Sequence, residues 1–272
     1  MIAKNKNEVI LTVDHLVKKF DKFTAVNNIS FTVNKREVFG FVGPNGAGKS
    51  TTIKMLITLL KPTSGKVLID KYNINDDANN VRRVIGYVPQ MVSVDGSLTA
   101  LENLKLMAKL YDIPKDEREE RIEEILTFLD LQQVKKVLVK NFSGGMVRKL
   151  EIGQAMLHRP HVIFLDEPTT GLDPVARRNV WKHLLELRNQ FGTTIFFSTH
   201  YMEEAEEVAD RIAIMEKGNV AAIGTVEELT KQTKKKNATL EDAFIFFTGT
   251  TIQETGNLRD IKQLRATERR LG

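Results

Sequence analysis

The chain predicts an α/β fold built around a phosphate-binding loop, and three observations carry that prediction. The stretch Gly43-Pro-Asn-Gly-Ala-Gly-Lys-Ser-Thr51 fits G-x-x-x-x-G-K-[ST] at every fixed position. An apolar run, Val38-Phe-Gly-Phe-Val42, precedes it, and Thr52-Ile-Lys-Met-Leu-Ile57, which can wind as a helix, follows. Further on, a second apolar run, His161-Val-Ile-Phe-Leu165, ends abruptly in Asp166-Glu167. Strand, glycine loop and helix in that order turn backbone N–H groups inward and add the positive end of a helix.

Composition sets the frame. With 272 residues, 42% apolar and 28% charged, the chain is long enough for one globular core with a small appendage. No apolar run approaches the roughly 20 residues that cross a bilayer, and the first residues lack a signal-peptide segment. Cysteine is absent, which excludes disulfides and thiolate metal sites and fits a cytosolic protein. The net charge of +5 is partly accounted for by phosphate-binding residues and is poor support for nucleic-acid binding, which is not expected.

The elements follow in order. Residues 9–13 and 29–33 predict short strands rich in Val, Ile and Phe, with Leu16 to Thr24 between them. Phe20 or Phe23 in that connection is placed to stack on a base or to plug the core. In the loop, Gly43, Pro44, Asn45, Gly46, Ala47 and Gly48 supply the cradle. Lys49 reaches the β- and γ-phosphates, the Ser50 hydroxyl holds Mg²⁺, and Thr51 continues into the helix. That helix is expected over 49–60, stopped near Lys61-Pro62. Strands are expected over 66–70 and 84–88, the second ending at Pro89-Gln90, where Gln90 can point into a ligand crevice.

Thr99-Ala-Leu-Glu102 is a capping box that starts a helix to about Tyr111. The helix over 115–129 has a charged, solvated face. Ser143-Gly144-Gly145 opens a helix to about Leu157 and is either an ordinary cap or a second anion site. Two acids at the end of a buried strand are costly unless they face a crevice or a cation. In a P-loop fold the strand 161–165 is expected beside the P-loop strand, with Asp166 holding Mg²⁺ and Glu167 acting as general base on the attacking water. Gly171-Leu-Asp173-Pro174 predicts a tight turn before a helix over 175–189. The strand 193–199 ends at His200, which can hydrogen-bond a γ-phosphate or water. Runs 212–215 and 220–223 flank Lys217-Gly-Asn219 as a hairpin. The last part changes character: a basic linker over 231–236, an apolar patch on a short helix over 240–247, and a weakly amphipathic basic stretch over 257–271. Boundaries of 1–230 for the nucleotide-binding domain and 231–272 for the tail follow.

Taken together, residues 9–250 resemble the ATP-binding subunit of ABC transporters, with six motifs in the family's order. Gly43 to Thr51 matches Walker A, Gln90 the Q-loop, and Ser143-Gly-Gly-Met146 the signature. Asp166-Glu167 matches Walker B with the catalytic glutamate, Gly171-Leu-Asp173 the D-loop, and His200 the switch histidine. Phe20 falls at the aromatic A-loop position. The resemblance implies a P-loop NTPase with a RecA-like core, an antiparallel β subdomain, and an α-helical signature subdomain over about 91–157. It also implies ATP and Mg²⁺ as ligands, the latter between Ser50, Gln90 and Asp166, and Lys49, Gln90, Glu167 and His200 as the catalytic set. Asp173 and the Ser143 to Gly145 helix start join the nucleotide contacts across a head-to-tail homodimer. The Phe-Ser-Gly-Gly-Met signature, Ser-Thr-His-Tyr-Met-Glu-Glu-Ala and Ala-Thr-Leu-Glu-Asp-Ala-Phe look like exporters of the daunorubicin-resistance type, whose partner is a separate ABC-2 permease. A cytoplasmic subunit, peripheral on the inner membrane face, is implied, driving export of a drug, lipid or polysaccharide-like solute. Met146 replaces the family's usual Gln, and Arg36 stands where Gly is frequent. The alternatives are a non-transport ABC ATPase, such as an iron–sulfur assembly type, and a simple P-loop kinase.

Overall fold

The computed structural model describes residues 8–249; the basic stretch over 257–271 lies outside them. Ten strands and nine α-helices form among these residues. The first two strands are longer than the sequence predicts: β1 spans Val9–Phe20 and β2 spans Phe23–Asn34, paired antiparallel with Phe20 opposite Phe23. The hairpin is hidden in the sequence because its alternation breaks where the register shifts between Val13 and Leu16, next to His15 at φ 49°. With β4 (Ser64–Ile69) and β5 (Tyr72–Asn73) they form an antiparallel sheet ordered β2-β1-β4-β5.

The second sheet holds the site. It comprises β3 (Val38–Val42), β6 (Ile85–Val88), β7 (Val162–Asp166), β8 (Thr194–Thr199), β9 (Arg211–Glu216) and β10 (Asn219–Gly224). Its order is β10-β9-β3-β8-β7-β6, parallel except for β10 at the edge. Every residue of β3, β7 and β8 is buried, which is why residues 38–42, 162–165 and 195–197 read as continuous apolar runs. The expected adjacency of β7 to β3 is corrected here: β8 lies between them. Register explains why the acids still reach the loop. Val42 stands opposite Thr199, and Asp166 opposite Ser198, so three strands end at one level. A ligand crevice outside the carboxyl ends of parallel strands is the expected location for chemistry in such a sheet.

The sheet separates two apolar clusters. On one face, Phe39, Phe41, Phe164 and Phe196 pack with Phe31 of the antiparallel sheet, with Phe31 and Phe39 rings stacked at 5.6 Å. Also on this face is α1, which spans Lys49–Leu56 rather than the predicted 49–60. Thr58 turns left-handed at φ 63°, and the Lys54 carbonyl accepts from both Leu59 and Leu60 N–H at 2.9 Å. The chain must leave the helix there because Pro62 cannot continue it.

On the other face, Val38, Val42, Leu165 and Phe197 meet the helices. These are α3 (Ala100–Leu110), α4 (Arg118–Phe128), α5 (Gly144–Met156), α6 (Pro174–Phe191), α7 (Met202–Val208), α8 (Val226–Gln232) and α9 (Leu240–Thr248). The short α2 (Ala78–Val84) leads directly into β6. The predicted capping box of α3 forms, with Thr99 Oγ1 accepting from Glu102 N–H. Helix α9 buries Leu240, Ala243 and Phe244 in the same cluster as Leu229. No helix of the described residues is long and apolar enough to cross a membrane.

Candidate nucleotide-binding and catalytic site

The loop between β3 and α1 has glycine where geometry demands it. A Cβ on Gly43 would stand 2.0 Å from the Met215 carbonyl oxygen. Gly48 sits at φ 106°, and a Cβ there would lie 2.5 Å from the Ala25 carbonyl. Around Gly46 (φ 81°), by contrast, nothing lies within 4 Å of a Cβ, so that side of the loop is open. Gly48 is the N-cap of α1 and offers no side-chain oxygen, leaving the first N–H groups of the helix uncapped. Open space, uncapped donors and a helix N-terminus make an anion cradle.

Lys49 folds back across this cradle. Its Nζ donates to the carbonyls of Gly43 at 2.7 Å and Pro44 at 3.2 Å, and pairs with Glu167 Oε1 at 3.3 Å. Burial pushes the ammonium below its usual range, and the nearby Glu167 and Asp166 charges offset part of that. Glu167, only 4% exposed, stands just past β7 at φ 52°, a left-handed backbone that a glutamate adopts at a cost. The conformation is fixed by the Glu167 N–H, which donates to the Ser198 carbonyl and hydroxyl at 3.2 and 3.1 Å. His200 Nδ1 lies 2.5 Å from Glu167 Oε2, and Thr170 Oγ1 donates to the same oxygen at 3.1 Å. Burial alone would raise the Glu167 carboxyl; the His200 hydrogen bond and the Lys49 charge outweigh it and hold the group below its ordinary value. Asp166 Oδ1 accepts from Ser50 Oγ at 3.0 Å and Ser198 Oγ at 2.6 Å. Burial and then the Asp166 charge push the Tyr87 phenol up to about 12. One contiguous cluster thus contains Lys49, Ser50, Asp166, Glu167 and His200. It can hold an anion at the cradle and accept a proton at a carboxylate beside it.

A model of the ABC transporter family matches residues 26–170. The linearmycin resistance ATP-binding protein LnrL of Bacillus subtilis (strain 168) is 40% identical over 220 residues, covering 81% of this chain and 70% of that protein. The daunorubicin/doxorubicin resistance ATP-binding protein DrrA of Streptomyces peucetius is 42% identical over 214 residues, covering 79% and 64%. The chain belongs to the ABC transporter family. It is an ATP-binding, ATP-hydrolysing subunit of the daunorubicin-resistance-like kind. Among solved structures, an ATP-binding subunit of an ABC transporter superposes with a TM-score of 0.78 at 32% identity, covering 88% of this chain and 99% of that one. The ATP-binding cassette MJ0796, solved as a dimer in a post-hydrolysis state with ADP and phosphate, gives 0.70 at 29% identity, covering 79% and 98%.

The remaining predicted residues of this ABC subunit stand apart from the lysine–glutamate–histidine cluster. Phe20 ends β1, 44% exposed, with the Lys18 ammonium 4.9 Å from its ring centre. Gln90 is exposed; its carbonyl accepts from Arg148, at 3.3 Å. Ser143 caps α5 by accepting from Met146 N–H at 3.3 Å. Cβ atoms on Gly144 and Gly145 would come within 3.3 Å of Leu172 and 3.2 Å of Ala176, so these two glycines seat against the turn that begins α6. Asp173 caps α6, accepting from Val175 and Ala176 N–H at 2.9 Å. Arg36, at φ 61°, occupies a left-handed turn of the kind glycine adopts most readily.

Four residues of the site escaped the sequence. Ser198 and Thr170 hold the two acids directly, as described. Arg148 and Glu151 grip the loop after β6: Arg148 donates to the Pro89 carbonyl at 2.8 Å, and Glu151 Oε1 accepts from Ser93 N–H at 2.6 Å. The two form a buried ion pair at 3.0 Å. Charged residues three apart on a helix usually mark a solvated face; only tertiary placement shows these are buried.

Proposed function

We propose that this subunit hydrolyses ATP to drive export through a separate membrane-spanning permease of the ABC-2 type. The observation that supports the chemistry best is the contact of Glu167 with both Lys49 and His200 beside the uncapped start of α1. In this scheme the β- and γ-phosphates lie along Gly43 to Thr51 and draw Lys49 Nζ away from the loop carbonyls. Glu167 takes the proton of the attacking water, His200 orients that water and the γ-phosphate, and Phe20 stacks on adenine. Ser50 and Asp166 present adjacent oxygens of the hard kind that Mg²⁺ prefers, so these two residues fit it, and Gln90, exposed on the loop after β6, would join them. Mg²⁺ bound there would supply charge neutralisation to the β- and γ-phosphates.

The α5 helix start of Ser143, Gly144 and Gly145 makes no hydrogen bond to the cradle of its own chain among the described residues. A head-to-tail homodimer, with Asp173 near the junction, places it over the partner's γ-phosphate. Closure on ATP and opening after hydrolysis then move the Gln90 loop and the helices over about 91–157 against the permease. The subunit works in the cytoplasm, peripheral on the inner membrane face, with residues 1–230 as the cassette and 231–272 as a tail. Relatives are named for linearmycin and daunorubicin resistance and for Nod factor export, so the cargo class proposed is a drug, lipid or polysaccharide-like solute.

The test is a pull-down from native membranes with the Glu167→Gln chain held in ATP and Mg²⁺. Co-purification of a polytopic protein of about six spans is expected. Recovery only in the soluble fraction with soluble proteins or nucleic acid would retain the ATPase and reject export.

A further inference from the structure

One buried carboxylate beside the cluster is not used by the chemistry above. Glu204, in the first turn of α7, is 4% exposed. Three donors, from α6, β8 and the turn after β7, converge on it. Trp181 Nε1 of α6 donates to Oε1 at 2.5 Å, and Thr169 Oγ1 donates to the same oxygen. Thr199 Oγ1, the last residue of β8, donates to Oε2 at 2.7 Å. Thr199 Oγ1 in turn accepts from Tyr201 N–H at 3.0 Å.

The placement of these partners matters more than their number. Thr169 stands two residues after Glu167. Thr199 and Tyr201 flank His200 on either side. One carboxylate therefore fixes the backbone on both sides of the histidine and the segment leaving the glutamate. Glu167 itself sits at a left-handed φ of 52°, a conformation that surrounding contacts must impose. Trp181, the chain's one tryptophan, adds α6 to the same point, and α6 begins at the Asp173 turn against which Gly145 seats.

We propose that Glu204 is the positioning residue that keeps Glu167 and His200 in contact, and that Trp181 carries the state of that contact into α6. The inference rests on the ATPase assignment and adds to it a residue whose side-chain hydrogen bonds go to Thr169, Trp181 and Thr199.

The conservative variant is informative because of hydrogen-bond polarity. A carboxylate accepts at both oxygens, whereas the amide of Glu204→Gln accepts at one end and donates at the other. Its NH₂ must face either Trp181 Nε1, which can only donate, or Thr199 Oγ1, whose own O–H then loses its acceptor. Shape is kept while one side of the clamp is inverted.

Steady-state phosphate release is measured on the full chain for wild type and Glu204→Gln, alongside ATP affinity from displacement of a fluorescent nucleotide analogue. The expected result is a kcat lower by at least about tenfold, with KM and ATP affinity within about twofold, because geometry at the reacting atoms is lost while the cradle is untouched. The Trp181 emission of the nucleotide-free protein is expected to shift in the variant, and the emission change expected on adding ATP to wild type to shrink. A folded Glu204→Gln chain with wild-type kcat, or one whose kcat and ATP affinity fall together, would overturn the proposal. A wild-type chain with no turnover would instead sink the ATPase assignment beneath it. Should Glu204→Gln not fold, Thr169→Val and Trp181→Phe each remove one donor, and each is expected to give the same split between kcat and KM, of smaller size; absence of that split in both overturns the proposal equally.

Discussion

Replacing Glu167 by Gln should do three separable things, and their sizes follow from one geometry. Lys49 and Glu167 stand 3.3 Å apart, 5% and 4% exposed. At an effective dielectric constant of about 20, that separation corresponds to a gross attraction of about 5 kcal/mol. Much of it offsets desolvation of the two groups, and Lys49 keeps its bonds to the Gly43 and Pro44 carbonyls in the variant. The glutamine can still meet His200 and Thr170. The nucleotide-free chain should therefore lose only about 1–3 kcal/mol of stability, less than the roughly 3–5 kcal/mol of a buried pair broken outright. ATP phosphates restore the missing negative charge beside Lys49, and no carboxylate remains to compete for it. Affinity for ATP should accordingly rise, by roughly tenfold if about 1.4 kcal/mol of the lost stability is recovered on binding. Turnover should fall by about 10²–10⁴-fold, the size of a lost general base. Urea unfolding, nucleotide displacement and phosphate release read the three effects independently. Weaker ATP binding would refute the competition argument. Turnover within about threefold of wild type would refute Glu167 as the base.

Further expectations concern the same cluster and its rim. The Glu167 carboxyl is held below its ordinary value of 4.5, so its stabilisation is present above that pH and is lost as pH falls through the lower, folded value; the stability gap between wild type and Glu167→Gln, measured in urea, should shrink on acidification below about 4.5 and stay constant between pH 6 and 8. Phe20→Ala removes a ring that is 44% exposed, so stability should change by less than about 0.5 kcal/mol, while ATP affinity falls and affinity for inorganic phosphate does not; equal losses would reject base stacking. Gly48→Ala places a Cβ 2.5 Å from the Ala25 carbonyl at φ 106° and should abolish ATP binding measured by nucleotide displacement, whereas Gly46→Ala, with open space around its Cβ, should retain a folded chain and perturb binding less.

Much of this site was legible because its chemistry is written in short runs. The P-loop, the acid pair after an apolar strand and His200 at a strand end each state a local reason, and the parallel sheet gathers them at the carboxyl ends of its strands. Sequence reasoning failed where the reason was tertiary. It placed β7 beside β3, because nothing in either run reports that β8 intervenes. The hairpin of β1 and β2 was cut short because a bulge breaks the alternation that identifies strands. Helix α1 was drawn too long because Leu59 and Leu60 continue an apolar pattern while their N–H groups fold back on Lys54. Ser198, Arg148, Glu151 and Glu204 were missed for a common cause: each looks like an ordinary polar residue on a strand or a charged helix face, and each matters because of what packs over it.

That last group also says how a site at one edge of a sheet can move something distant. Helix α5 begins at Ser143, with Gly144 and Gly145 seated on the turn of Leu172 and the start of α6. One turn later, Arg148 and Glu151 hold the loop after β6 through Pro89, Gln90 and Ser93. Helix α6 in turn reaches Glu204, and through it the segments bearing Glu167 and His200. Arg148, Glu151 and Glu204 are buried, so their hydrogen bonds cannot slide without leaving a polar group or charge unpaired, which costs about 1–3 kcal/mol for each group left so. A rearrangement at Glu167 is therefore cheaper if α6, α5 and the Gln90 loop move with it than if any one of them stays behind. Apolar packing joins α5 to α6, and the buried polar contacts at either end specify which atoms must remain together as the rest of the surface shifts.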